Sequence, residues 1–305
     1  MNGVIVIDKP QGFTSFDVIA VVRRLTGQRK TGHTGTLDPN ATGVLPVLLG
    51  TATKAQDLIP DHDKRYVADF RLGLTTDTLD IWGQEKTRAE SHASREDVLA
   101  LLPKFKGEIE QVPPMYSAVR QNGQRLYDLA RKGMEVERKT RKVTVYELEL
   151  LDFDEESQTG RLEIFCSKGT YVRTLIDDLG TALGVGATMT ALRRTRACGY
   201  TLSDCLTLEE LKALCESGSA EDELRSVESL FASYDPVTVS DAQARRFCNG
   251  GALDLSRTEL KHRDLPDREI LRVKDRAGVF LGLGLIDRES SLLKVYKSFR
   301  SASHA

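Results

Sequence analysis

The sequence predicts an α+β fold followed by a small C-terminal β-barrel, and three observations lead there. Strand-like and helix-like segments are mixed without regular β-α-β alternation, and no internal repeat of about 20–50 residues recurs. Residues 217–235 turn acidic and Ser-rich, "SGSAEDELRSVESLFASYD", which suits a helix plus linker between two units. Beyond them, short apolar runs with glycine turns follow at close intervals, the pattern of a small barrel. The expected domains are therefore 1–234 and 235–305.

The elements follow in order. "GVIVID" (3–8) is a β-branched strand, and "KPQG" supplies Pro and Gly for a turn. Thr14 or Ser15 can cap a helix whose apolar residues recur at Phe16, Ile19, Val22 and Leu25, with Gly27 where a helix commonly ends. "YVADFRLG" (66–73), "KVTVYELELLDF" (142–153) and "GRLEIFCS" (160–167) alternate as strands. Helices fit 95–103, 125–132, 173–183 and 207–216. The C-terminal strand runs are "PVTVS", "REILRVKD", "GVFLGLGLID" and "LLKVYKSF".

Composition excludes several classes. A hydrophobic content of 40% and a charged content of 29% are ordinary for a globular protein. No window approaches the roughly 18 apolar residues of a membrane helix, and "MNGVIVIDKP" lacks a secretory pattern, so the expected location is the cytoplasm. Five widely spread cysteines without C-x-x-C spacing argue against a disulfide framework or zinc site, and the five histidines show no paired spacing, so no metal is expected. Phosphate-loop, dinucleotide and nucleophile-elbow motifs are absent, which removes the usual nucleotide cofactors. The net charge of −2 hides segregation: residues 115–146 carry eight Lys or Arg against three acids, and residues 203–235 carry nine acids against two bases. Such a basic block can face a polyanion.

One stretch carries chemistry: "HTGTLDPNATGVLP" (33–46). Pro39 removes a backbone donor and pushes Asp38 toward an extended conformation, while Gly35 and Gly43 permit bends on either side. Alone, Asp-Pro-Asn is also an ordinary turn in which the acid caps its own backbone.

"GHTGTLDPNATGVLPVLLGTATK" (32–54) resembles the signature of the tRNA pseudouridine synthase B (TruB) family. Blocks in the family order accompany it: "DKPQGFTSFD" (8–17), "DKRYVADFRLGLTTDTLDIWG" (63–83), "VPPMYSAVRQNGQRLYDLARKG" (112–133), "CSKGTYVRTLIDDLG" (166–180) and "ALRRTRACGY" (191–200). The last 65 or so residues are similar, more loosely, to the RNA-binding PUA domain.

The resemblance implies a pseudouridine synthase fold, with a mixed, largely antiparallel central sheet and flanking helices. It implies conversion of uridine-55 in the TΨC loop of tRNA to pseudouridine by a monomer, without cofactor, metal or membrane. By position, Asp38 matches the essential aspartate, Tyr66 the tyrosine that stacks on the uracil, and Arg173 the arginine paired with the aspartate. Tyr171 and Leu192 match residues lining the uracil pocket, and His33 a histidine contacting RNA where bases are turned out. Lys9 and Pro10 match a pair supporting the active-site loop. Residues 120–142, with Arg141 and Lys142, correspond to a segment that clamps the RNA arm, and Arg193 and Arg194 are expected to contact its backbone.

One carboxylate beside a guanidinium, which favours its charged form, serves three routes: attack on C1′, attack on C6, or removal of a ribose proton. A flipped base also needs aromatic stacking and edge hydrogen bonds. The competing readings are a guide-RNA-dependent synthase, a non-catalytic tRNA-binding chaperone, and a hydrolytic glycosidase that releases free uracil.

Overall fold

The computed structural model describes residues 1–300 apart from 118 and 122. The chain opens with β1 (Gly3–Lys9), almost wholly buried because both its faces are covered. Helix α1 (Ser15–Thr26) begins at a capping box, Thr14 with Asp17, and ends at Gly27, whose φ of 65° is left-handed. Its buried side is Ser15, Val18, Ile19 and Val22; Phe16, placed by its spacing on the apolar stripe, is 70% exposed. The short β2 (Thr31–His33), the Asp38 loop and β3 (Thr42–Leu49) follow.

Strand β4 (Lys64–Leu72) buries Tyr66, Ala68, Phe70 and Leu72, the period of two expected of a sheet with one face on a core. A small hairpin, β5 (Leu74–Thr76) and β6 (Glu85–Arg88), leads to α2 (Arg95–Leu101) and β7 (Gly107–Gln111). A second hairpin, β8 (Arg120–Gln121) with β9 (Gln124–Arg125), runs into the short α3 (Leu126–Ala130). The body closes with β10 (Arg141–Asp154), β11 (Thr159–Cys166), α4 (Val172–Ala182), β12 (Ala187–Ala197), β13 (Tyr200–Thr201) and α5 (Leu208–Ser217).

These strands form a nine-stranded sheet in the order β1-β3-β12-β4-β11-β10-β7, with β2 on β3 and β13 on β12. Every pairing is antiparallel except β12 with β3, which join in parallel through Arg193–Thr42 and Arg194–Gly43. The mixed, largely antiparallel sheet with flanking helices is as expected. One face carries a core in which Tyr66, Ala68 and Phe70 meet Leu175, Ile176 and Leu179 of α4. α1 and α5 cover β1 and β3 with a second core, Ile5, Ile7 and Leu45 against Val18, Val22 and Leu211.

The C-terminal part contains β14 (Pro236–Thr238), α6 (Asp241–Cys248), β15 (Leu253–Asp254), β16 (Ile270–Lys274), β17 (Phe280–Asp287) and β18 (Leu292–Ser298). Its sheet runs β14-β16-β17-β18-β15, and the end strands do not pair among the described residues, so it is a half-barrel. It packs on the body through Val4, Leu48, Phe231, Leu283 and Phe299. The acidic stretch before it is bound to the body: Val4 and Arg225 form a β-bridge, and Phe231 is fully buried.

Candidate active site

The Asp38 loop spans the gap between β2 and β3, and α1 holds it from outside. The Ser15 hydroxyl accepts from the Leu37 amide at 2.8 Å and donates to the Leu37 carbonyl at 3.2 Å. The Leu37 side chain drops into the main core. The Gly12 amide donates to the Pro39 carbonyl at 2.9 Å, and the Ala41 amide to the Asp38 carbonyl at 3.1 Å.

Lys9, the last residue of β1, is fully buried beneath this loop. Its ammonium donates to the carbonyls of Pro10 and Pro39, both at 2.9 Å, and of Phe13. Burial pulls its pKa down to about 8, against which the Asp38 charge acts to raise it. Of the pair Lys9–Pro10, Lys9 meets the loop at the Pro39 carbonyl, and the Pro10 carbonyl accepts from the same ammonium.

Arg173 stands in the first turn of α4, and its side chain is 6% exposed. Its guanidinium donates to the carbonyls of Thr78 and Tyr116, each at 2.8 Å, and meets the Asp38 carboxylate at 2.9 Å. The planar fork is fixed from behind by backbone and turned toward one acid in front. The Asp38 side chain keeps 40% exposure, so the pair sits at the floor of an open site. A second carboxylate, Asp80, lies 3.6 Å from the other side of the guanidinium. Burial raises the Asp80 pKa, while its bond from Thr78 lowers it. Sequence reasoning assigned Asp80 no role, although it lies within the quoted "TTDTLDIWG" block.

Asp38, Tyr66, Tyr171, Arg173 and Leu192 line one cavity of about 340 Å³, within the roughly 300–1,000 Å³ usual for small-ligand sites. Tyr66 reaches it from β4 and Leu192 from the neighbouring β12. Burial pushes the Tyr66 phenol up to about 12, so it stays protonated at neutral pH and offers a ring face and a donor. Tyr171 caps α4; its amide donates to the Gln111 side chain at 3.0 Å, and the Gln111 amide returns a 3.3 Å bond to its carbonyl. His62, Lys64, Ser117 and Lys168 also face the cavity, and sequence reasoning singled out none of them. The signal for Lys64 is its place two residues before Tyr66, on the same face of β4.

His33 ends β2 beside the cavity-lining Thr34 but does not itself line the cavity. Its Nδ1 is buried with no hydrogen-bond partner among the described residues, and burial, then Arg194, lowers its pKa.

The expected RNA-backbone cations divide. Arg141 and Lys142 are exposed at the start of β10; Arg141 is near enough to Tyr171 to act on its pKa, and Lys142 meets Glu108 at 2.8 Å. Of the 120–142 segment, residue 122 lies outside those described. Arg193 is half-exposed and paired with Asp8 at 2.7 Å. Arg194 is corrected: it is 0% exposed and donates to the carbonyls of Val44 at 2.7 Å, Gly35 at 3.1 Å and Thr36 at 3.5 Å. Alternation along β12 turns its side chain inward, away from any polyanion.

Comparison with known proteins gives a consistent outcome. Residues 23–172 match the family model described as TruB family pseudouridylate synthase (N terminal domain). Residues 173–230 match tRNA pseudouridylate synthase B C-terminal domain, and residues 236–293 match Pseudouridine synthase II TruB, C-terminal. The chain is 42% identical over 295 residues to the tRNA pseudouridine synthase B of Clostridium perfringens (strain ATCC 13124), covering 96% of this chain and 98% of that protein. It is also 42% identical to that of Pseudomonas fluorescens (strain Pf0-1), covering 96% of this chain and 94% of that protein. Among solved structures it is similar to a chain of a Cbf5-Nop10-Gar1 complex, with a TM-score of 0.76, 27% identity, and coverage of 99% of this chain and 86% of that one. A chain of an H/ACA RNP bound to a substrate RNA containing 2'-deoxyuridine matches with a TM-score of 0.74 and 25% identity, covering 98% of this chain and 86% of that one.

Proposed function

The chain belongs to the TruB family of pseudouridylate synthases, and from that premise we propose that it acts on uridine-55 in the TΨC stem-loop of tRNA, with Asp38 as the reacting carboxylate. The coarser activity, isomerisation of uridine to pseudouridine in tRNA, is that of the family's curated members.

One observation supports the assignment of Asp38 most strongly. Its carboxylate lies 2.9 Å from a buried, backbone-anchored guanidinium at the floor of a cavity that Tyr66 and Leu192 also line. A flipped uracil entering there meets an aromatic face and an apolar wall, the usual grip on an extruded base. The C1′–N1 bond breaks, the uracil turns within the cavity, and C5 joins C1′; no water enters the products. Arg173 keeps Asp38 ionised and aimed, which suits attack on C1′ or C6 and proton removal from the ribose alike.

Arg141, Lys142 and Arg193 are proposed to hold the RNA backbone, His33 to meet unstacked bases at the cavity rim, and residues 235–305 to add an RNA-binding surface. The similarity to Cbf5 keeps a guide-dependent reading in view, but the match to stand-alone bacterial enzymes over nearly their whole length favours direct recognition.

Incubation of the purified protein with an unmodified TΨC hairpin tritiated at C5 of its uridines tests this. Tritium should appear in water, no free uracil should form, and Asp38→Asn should bind the hairpin without releasing tritium. Release by Asp38→Asn at the wild-type rate would end the assignment of Asp38. Activity that appears only with added guide RNA would end the stand-alone reading.

A further inference from the structure

The cavity is surrounded by cations, and their partners show which of them is held least. Arg173 is committed to Asp38 and the carbonyls of Thr78 and Tyr116. The Arg194 guanidinium serves three carbonyls, and so does the Lys9 ammonium. Lys64 differs: among the described residues its ammonium has a single partner, the His62 carbonyl, and no carboxylate forms an ion pair with it.

Three further facts aim Lys64 at the reacting base. It lies two residues before Tyr66 on β4, so alternation sets both side chains on one face of the sheet, and both line the cavity. The opposite wall leaves it room, because a Cβ at Gly35 would stand 3.3 Å from the Lys64 Cε. Burial lowers its pKa, and Arg194 adds to the effect, while Cys198, Cys166 and Asp63 act in the opposite direction by less. Lys168 also borders the cavity but is solvent-exposed, where water screens its charge.

The reaction supplies the missing anion. If Asp38 attacks C1′, or removes a ribose proton, the C1′–N1 electron pair leaves on the uracil and spreads onto its carbonyl oxygens. If Asp38 adds to C6, the ring again takes the negative charge as an enolate. Asp38 has the wrong sign to hold that charge, Arg173 is already paired with Asp38, and Arg194 and Lys9 are fully buried, each bonded to three backbone carbonyls. We propose that Lys64 is a second catalytic residue, whose ammonium donates to a uracil carbonyl oxygen as charge develops on the ring and holds the detached base while it turns. Lys64 keeps its own protons throughout: C5 bonds to C1′, the C5 proton passes to water, and N1 takes a proton from water, which restores a neutral product. This inference rests on the pseudouridine synthase reading of the cavity.

Single-turnover assays on the C5-tritiated hairpin, with enzyme in excess, test it. Lys64→Met should slow tritium release by about 10²–10³-fold, the usual cost of removing one preorganised donor to a developing oxyanion. Hairpin affinity and its salt dependence should stay at wild-type values. An unchanged rate would overturn the proposal. So would a loss carried by affinity with the salt slope shallower by about 0.7–0.9, which marks a phosphate contact instead. Lys64→Ala separates charge from packing: propylammonium should restore its rate and 1-butanol should not, and equal recovery by the two would refute the charge role. Wild-type protein that released no tritium would sink the underlying reading itself, and this inference with it.

Discussion

Replacing Lys9 by Met tests how the loop that carries Asp38 is held. The ammonium is fully buried and serves three carbonyls, two of them at 2.9 Å. Met fills the same space but leaves the Pro10 and Phe13 carbonyls unpaired, at about 2 kcal/mol each and about 4 kcal/mol in all, while the Pro39 carbonyl keeps the Gly12 amide. Against this stands relief from burying a charge: a shift from 10.5 to about 8 corresponds to about 3 kcal/mol. The net loss is about 1 kcal/mol, or about 2 °C in Tm for a chain of this size. Urea and thermal melts of wild type and Lys9→Met measure it, and a variant more stable than wild type would show that the Pro10 and Phe13 carbonyls find other donors. The pH dependence gives a second check with a definite sign. In the unfolded chain Lys9 keeps its proton up to about 10.5, and in the folded protein only up to about 8. Within that window unfolding takes up a proton, so rising pH opposes unfolding. The stability gap between wild type and Lys9→Met is therefore flat below the folded pKa and widens, by up to about 3 kcal/mol, as pH climbs toward 10.5. A gap that narrows there would mean that the ammonium's bonds outweigh its burial.

Asp80→Asn removes the charge 3.6 Å behind the Arg173 guanidinium; we expect single-turnover tritium release to fall about 10²-fold through misplacement of the Arg173–Asp38 pair, with hairpin affinity unchanged, and a wild-type rate would show that the backbone carbonyls alone fix Arg173. Gly43→Ala puts a Cβ 2.1 Å from the Arg194 carbonyl at a φ of 103°, so urea melts should show a loss of at least about 3 kcal/mol; an unchanged midpoint would mean that β3 can slide on β12. Replacing Arg141 and Lys142 together by Gln should raise the apparent KM and reduce the salt slope by about 0.7–0.9 for each phosphate no longer neutralised. Arg194→Gln should lower Tm and leave that slope as it is, because its guanidinium never reaches solvent.

Much of this architecture is legible in the residues, and the failures share a cause. The capping box at Thr14 and Asp17, the left-handed Gly27 and the alternation of β4 are local rules, and each holds. Phe16 satisfies the helical period but stands outside the buried stripe of Val18, Ile19 and Val22, because the period fixes a stripe only to within about one residue's rotation. The capping box of Ser240 with Gln243 announces α6 in the same local language, although the strand-like runs around it point only to a barrel. Arg194 and Asp80 are failures of another kind. The acceptors of Arg194 lie about 150 residues away in sequence, and the partner of Asp80 about 90 away. Composition makes "RRTR" a basic patch; only the sheet decides that the adjacent Arg193 and Arg194 face opposite ways.

The turn around Asp38 raises the question of what a carboxylate needs in order to be both reachable and fixed. Side-chain exposure of 40% gives access, and an exposed acid on a free loop would lose its aim to backbone motion. Here five successive carbonyls are tied down: Gly35 and Thr36 to Arg194, Leu37 to Ser15, Asp38 to the Ala41 amide, and Pro39 to Lys9 and Gly12. The straps come from β12, α1, β1 and the loop itself, so no single element can move the acid without breaking bonds to another. Two of the straps are buried cations whose charge serves the backbone. Their cost in desolvation is offset by carbonyl acceptors already in place. Precision at Asp38 therefore comes from main-chain satisfaction around it, and the guanidinium of Arg173 sets only the last degree of freedom, the direction of the carboxylate.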